Sequence, residues 1–181
     1  MGKVMIYRLF ILLIAFCSTV SGQSGNCGAD FLQKEMEIRK SDFSQMYRPG
    51  NRMEDHDFGN FRLYDFKSEH ILIFFWKTDC PFCKKLLAEI RLILQKNGSK
   101  KVQVIGICLD DNRSNWEKHA FVTSEIYPNL RNVYAENGYF SSVAIQYHIY
   151  ATPSMILLNS DHQFLKLPRN QDELRRMFHC D

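Results

Sequence analysis

The feature that most constrains this chain is the junction at residues 71–83, where the apolar run Ile-Leu-Ile-Phe-Phe-Trp leads through Lys77-Thr-Asp79 into Cys80-Pro-Phe-Cys83. A short continuous apolar run rich in β-branched and aromatic residues suits a strand buried on both faces, as in a parallel sheet. Beyond the cysteines, Leu86, Leu87, Ile90, Ile93 and Leu94 recur at helical spacing over residues 84–96, and Asn97-Gly98 follows as a stop signal. The cysteine pair therefore opens a helix that follows a central strand.

That position carries chemistry. A thiol at a helix N-terminus faces unpaired backbone N–H groups and the positive end of the helix dipole, which favour its thiolate. Cys80 is the expected nucleophile. Cys83, one turn on, lies on the same helical face and can resolve a mixed disulfide by intramolecular attack. Pro81 suits the first helical turn, where its missing N–H costs nothing. A CxxC also supplies half the ligands of a zinc site. No second pair completes one, because Cys108, Cys180, His148 and His179 repeat no short ligand spacing.

The chain has 181 residues and 45% apolar content, enough for one domain with a sizeable core and too little for two ordinary ones. Lys3 and Arg8 precede the apolar stretch 9–17, and small or polar residues fill 18–25. A spanning helix needs ~20 apolar residues, so residues 1–22 read as a cleaved signal peptide, with a site after Gly22. The run Ile14-Ala-Phe-Cys17 resembles a lipidation box, with Phe16 where a small residue belongs. Membrane association is expected only if Cys17 is lipidated or the signal segment is retained. Taking Lys3 and Arg8 from 23 basic residues leaves 21 against 20 acidic ones. So small an excess leaves no basic footprint for nucleic acid.

Cys27, Cys80, Cys83, Cys108 and Cys180 lie beyond the cleavage site, and export places them where disulfides persist. Cys108, near the end of an expected strand, reads as a small buried hydrophobe. Cys27 and Cys180 flank the mature chain, whose ends are candidates for a structural bridge. Lys77, Lys84 and Lys85 near the motif read as a solvated face, and the cluster Glu54-Asp-His-Asp57 as an acidic surface loop.

The strand, the motif Trp76-x-x-x-Cys80-x-x-Cys83 and the later Ala151-Thr152-Pro153 together resemble the thioredoxin superfamily, most closely its TlpA-like exported branch. The likeness spans residues 58–180. It implies an α/β thioredoxin-like fold, a central mixed sheet flanked by helices, over residues 58–181, with residues 23–57 as an N-terminal extension. The remaining elements fit that order: a parallel strand at 102–110, a helix at 115–124 within an insertion that reaches Leu130, and a helix at 140–147. An antiparallel pair at 154–158 and 164–167 and a closing helix at 172–179 complete it. Within the extension, Phe31, Glu35 and Ile38 permit a short helix, and residues 48–51 mark a turn.

The resemblance implies a redox-active disulfide between Cys80 and Cys83. It also implies a cis peptide before Pro153, whose neighbouring Thr152 backbone pairs with an extended substrate, and a Trp76 that covers one side of the dithiol. No cofactor or metal is implied. The expected activity is thiol-disulfide exchange on exported proteins, in the periplasm or otherwise outside the cytoplasm, with a membrane thiol carrier as electron donor. Cytosolic thioredoxins carry a buried aspartate six residues before the first cysteine; here Phe74 stands there, so the proton route differs. Two alternatives use the same fold. A thiol peroxidase wants threonine three residues before its cysteine, where this chain has Lys77, and a copper-delivery module wants CxxxC.

Overall fold

The computed structural model describes residues 27–126 and 129–178. The expected signal segment, Cys17 and Cys180 lie outside these residues, so the Cys27–Cys180 bridge does too. The chain divides into two compact units, residues 1–44 and 45–181. In the first, the described residues form most of helix α1 (Cys27–Met46). The helix allowed by Phe31, Glu35 and Ile38 is thus considerably longer than its apolar spacing suggested.

The second unit is built on strand β1 (His70–Trp76). Helix α2 (Pro81–Lys101), strand β2 (Val102–Cys108), helix α3 (Arg113–Ile126) and strand β3 (Leu130–Tyr134) follow. A 3-10 turn (Gly138–Phe140), helix α4 (Ser142–Gln146), strands β4 (Ser154–Asn159) and β5 (Phe164–Lys166) and helix α5 (Gln171–Phe178) complete the order. The strands form one five-stranded sheet in the order β3-β2-β1-β4-β5. β1 pairs parallel with β2 and antiparallel with β4, so the sheet is mixed, as expected.

Side chains alternate across a strand, and β1 uses both faces. Ile71, Ile73 and Phe75 enter one apolar cluster with Ile105, Ile107, Ile156 and Leu158. Leu72, Phe74 and Trp76 enter another with Val104, Leu157, Ile90, Ile93 and Cys83. Burial on two faces explains why β1 reads as an unbroken apolar run rather than an alternating one.

Two expectations change, and one strand enters that the sequence did not mark. α2 continues through Asn97-Gly98 to Lys101, because one glycine inside a long packed helix costs only ~1 kcal/mol and tertiary contacts override it. The helix expected at 140–147 is split into the 3-10 turn and α4, with Ser141 between them as N-cap; its Oγ accepts from the Ala144 N–H at 3.3 Å. β3 has no continuous apolar run; only Leu130 of its five residues is buried, and its pairing with β2 defines it. The unit also takes in residues 45–57, placed in the extension by sequence. Tyr47 and Met53 are buried, and the Gly50 N–H donates to the Phe164 carbonyl at 2.9 Å.

Candidate active site

The parallel strands β1 and β2 end side by side, with Trp76 opposite Cys108 in register. Beyond that end the chain turns over residues 77–79 and enters α2. The Cys80 N–H donates to the Lys77 carbonyl at 3.4 Å, and the Lys84 N–H to the Cys80 carbonyl at 3.2 Å. Cys80 is thereby the residue that caps α2. Its Sγ accepts from the Cys83 N–H at 3.1 Å, filling the place of a capping oxygen. Cys80 and Cys83 are joined as a disulfide. Cys80 is partly exposed and Cys83 only 1% exposed. That asymmetry suits one sulfur for encounter and the other for resolution.

The segment before β4 comes from elsewhere in the chain. Thr152–Pro153 is a cis peptide, and the Thr152 carbonyl oxygen lies 3.9 Å from Cys80 Sγ. The Tyr139 hydroxyl meets Thr152 Oγ1 at 3.1 Å, which ties this loop to the 3-10 turn. Gly138 permits the turn's approach: its φ is +53°, and a Cβ there would lie 2.9 Å from the Leu109 carbonyl oxygen. Exposed aromatic residues stand on these segments: Phe82 between the cysteines, Phe140 beside Tyr139, and Tyr150 ahead of Thr152.

Trp76 lies on the strand leading to the dithiol, 4% exposed and packed in the cluster that holds Cys83. It is core and wall of the site at once. Phe74 is 1% exposed in the same cluster. The position that sequence marked as lacking an acid is therefore an apolar wall.

A buried acid, Asp110, 4% exposed, lies just past β2. Its carboxylate accepts the Thr78 N–H at 2.9 Å and the Thr78 hydroxyl at 2.6 Å. The Leu109 N–H donates to the Trp76 carbonyl at 2.9 Å. Burial pushes the Cys108 thiol up to about 12, with the Asp110 carboxylate adding to it and the Asp110 backbone N–H opposing. Cys108 is free and buried, as expected for an inert thiol. Partial burial pulls the Lys77 amine down, but its hydrogen bond and ion pair with Asp111 at 3.4 Å outweigh this and leave it raised. Lys77 is thus paired, while Lys84 and Lys85 are exposed as expected.

Sequence reasoning placed the dithiol, Trp76, Thr152 and Pro153 but missed Thr78, Asp110 and Tyr139. The only signal for Asp110 was an acid ending an otherwise apolar strand. Among the described residues, no group of three or more His, Cys, Asp or Glu side chains is placed to hold a metal ion. The run 54–57 is tied up locally: Arg62 pairs with Asp55 at 2.7 Å, and Gln146 bridges His56 and Glu54.

Known structures share the architecture. A thioredoxin-like protein from Bacteroides caccae is 18% identical with a TM-score of 0.66, over 82% of this chain and 55% of that one. This chain thus spans about half of that protein's length. The thioredoxin domain of a thiol-disulfide oxidoreductase from Bacteroides vulgatus is 20% identical with a TM-score of 0.61, over 73% of this chain and 96% of that one. A thiol:disulfide interchange protein from Bacteroides sp. is also 20% identical, with a TM-score of 0.58, over 75% and 93% of the two chains. Likeness at this identity establishes a thioredoxin-like fold. No curated protein matches the chain in sequence. Residues 42–162, which carry β1, the dithiol, the buried Asp110 and the cis-proline loop, match the AhpC/TSA family, and the chain belongs to that family within the thioredoxin superfamily.

Proposed function

We propose that this protein is an extracytoplasmic thiol-disulfide oxidoreductase that reduces disulfides in other exported proteins. The observation that carries the reading is the Cys80–Cys83 disulfide at the head of α2, with the Thr152 carbonyl 3.9 Å from the Cys80 sulfur. In the reduced protein the Cys80 thiolate attacks one sulfur of a substrate disulfide and expels the other as a thiolate. Cys83 then attacks the Cys80 sulfur, releases the second substrate thiol and closes the protein disulfide. Two electrons pass to the substrate, and a membrane thiol carrier restores the dithiol. An extended polypeptide is the fitting substrate, because the Thr152 backbone offers it strand-like pairing and the exposed Phe82, Phe140 and Tyr150 offer apolar contact.

Insulin-disulfide reduction with a dithiol donor tests the reading. Wild type accelerates it, Cys80→Ser falls to the uncatalysed rate, and Cys83→Ser accumulates mixed disulfides with its substrate. A pair that does not exchange with glutathione at all overturns the reading. The reduction potential gives direction: about −270 mV marks a reductant and about −120 mV an oxidant.

Family membership also favours a thiol-peroxidase reading. Lys77 occupies the position where such an enzyme needs threonine, and the hydroxyl of the neighbouring Thr78 is committed to Asp110. Rapid peroxide turnover by Cys83→Ser would establish it instead.

A further inference from the structure

Three acids lie on or against the 77–79 turn that leads into the dithiol: Asp79 within it, Asp111 paired with Lys77, and Asp110 bonded to Thr78. Asp79 and Asp111 are exposed, and water screens their charge from the sulfurs. Asp110 is 4% exposed, so its charge acts through a low-dielectric interior. It is also joined to the turn that presents the nucleophile. Both its oxygens accept hydrogen bonds from Thr78, two residues ahead of Cys80, while the backbone of Leu109 is bonded to Trp76. The charged and titratable groups around it are Lys77 and Asp79 on the turn, Cys108 at the end of β2, Asp111 beside it, Arg113 on α3 and Tyr134 on β3. Of the nearby cations, Lys77 pairs with Asp111 and is also attracted by Asp110, and the Arg113 guanidinium stacks 4.9 Å from the Tyr134 ring centroid.

We propose that Asp110 is a positioning residue that anchors the 77–79 turn and, through its buried charge, biases the Cys80–Cys83 couple toward the disulfide. The sign follows from electrostatics. Exchange draws on the thiolate form of reduced Cys80, whereas the oxidised protein carries no charge on either sulfur. A buried carboxylate beside the turn opposes the thiolate and so destabilises the dithiol. The reduced protein then gives up its electrons more readily, and its potential is more negative than the capping geometry of α2 alone would set. This inference rests on the proposed dithiol function and supplies its direction.

The test is equilibration of the protein disulfide with two glutathione thiols to give the dithiol and glutathione disulfide, combined with the pH profile of Cys80 alkylation by iodoacetamide. Asp110→Asn keeps the shape and removes the charge. It is expected to move the equilibrium constant about tenfold toward the dithiol, or ~30 mV, and to shift the alkylation profile to lower pH. Thr78→Val removes the hydroxyl that draws charge from the carboxylate, and is expected to move both readings the opposite way. Opposite signs are the signature, since loosening of a merely structural contact would move both variants alike. A change within about twofold for folded Asp110→Asn, or shifts of the same sign in the two variants, overturns the proposal. If Asp110→Asn does not fold, Thr78→Val decides alone: a shift toward the disulfide supports the role, and no shift or the reverse overturns it. A wild-type pair that fails to exchange would instead defeat the functional reading, so the two failures are distinguishable.

Discussion

Cys80 and Cys108 have the same side chain and different chemistry, because one caps a helix at the surface and the other is buried among apolar neighbours. Burial raises Cys108 to about 12, so its thiolate is scarce at neutral pH. In fully reduced native protein at pH 8, iodoacetamide is expected to label Cys80 and leave Cys108 unmodified, as peptide mass spectrometry would read. His162 is a second residue governed by its surroundings. Burial pulls it below its ordinary 6.5, with Lys67 and Arg52 acting in the same direction and the hydrogen bond to the Phe66 carbonyl opposing. The folded protein therefore binds this proton less readily than the unfolded chain. The contribution is whole above the ordinary value and is lost as pH falls below it toward the folded one. Between pH 7 and pH 5 the melting temperature should fall, and His162→Asn should flatten that fall. Asparagine tolerates the left-handed backbone there, at φ 62°. Gly138 is the residue on which the 3-10 turn depends. Gly138→Ala meets both a left-handed φ and the Leu109 carbonyl, a cost of roughly 1–2 kcal/mol for the conformation alone, readable by urea denaturation together with slower disulfide reduction.

Among the elements, α2 links packing to chemistry: its N-terminus holds the dithiol, and its buried face, through Ile90 and Ile93, joins a cluster that also contains Leu174 of α5. Leu174 is fully buried. Leu174→Ala is expected to cost about 3 kcal/mol through lost transfer energy and the cavity left behind, seen as a lower urea midpoint. α5 also starts on a cap that sequence analysis did not single out: the Glu173 N–H donates to Asn170 Oδ1 at 2.9 Å. Asn170→Ala should cost ~1 kcal/mol on the same assay. The helices and strands with strong local patterns were readable in advance. β1 declared itself by its apolar run, and α2 by its 3.6-residue spacing. β3 did not, since an edge strand with one buried residue has little apolar pattern of its own. The end of α2 was misplaced because a local stop signal is weak against the packing of a long helix.

At the scale of the whole molecule, the proposed export and the proposed exchange activity make a joint prediction. Secreted protein should begin after Gly22 by N-terminal sequencing, and its Cys83→Ser form should carry exported clients as mixed disulfides; a cytoplasmic chain with its first residues intact would contradict this. The amino-acid sequence by itself determined the strand, the dithiol and the helix it caps, because those residues are neighbours along the chain and their periodicity and capping are local effects. It also identified Thr152-Pro153 by resemblance. Only the tertiary structure decided what surrounds the two sulfurs. Thr152 is held by Tyr139, Phe74 forms a wall where an acid is lacking, and Asp110 arrives from just past the next strand to grip the turn before Cys80. The physical reason is that Asp110 and Thr78 are brought together by the parallel pairing of β1 with β2. No spacing along the chain encodes that contact, yet it seats a buried carboxylate against the turn that presents the dithiol.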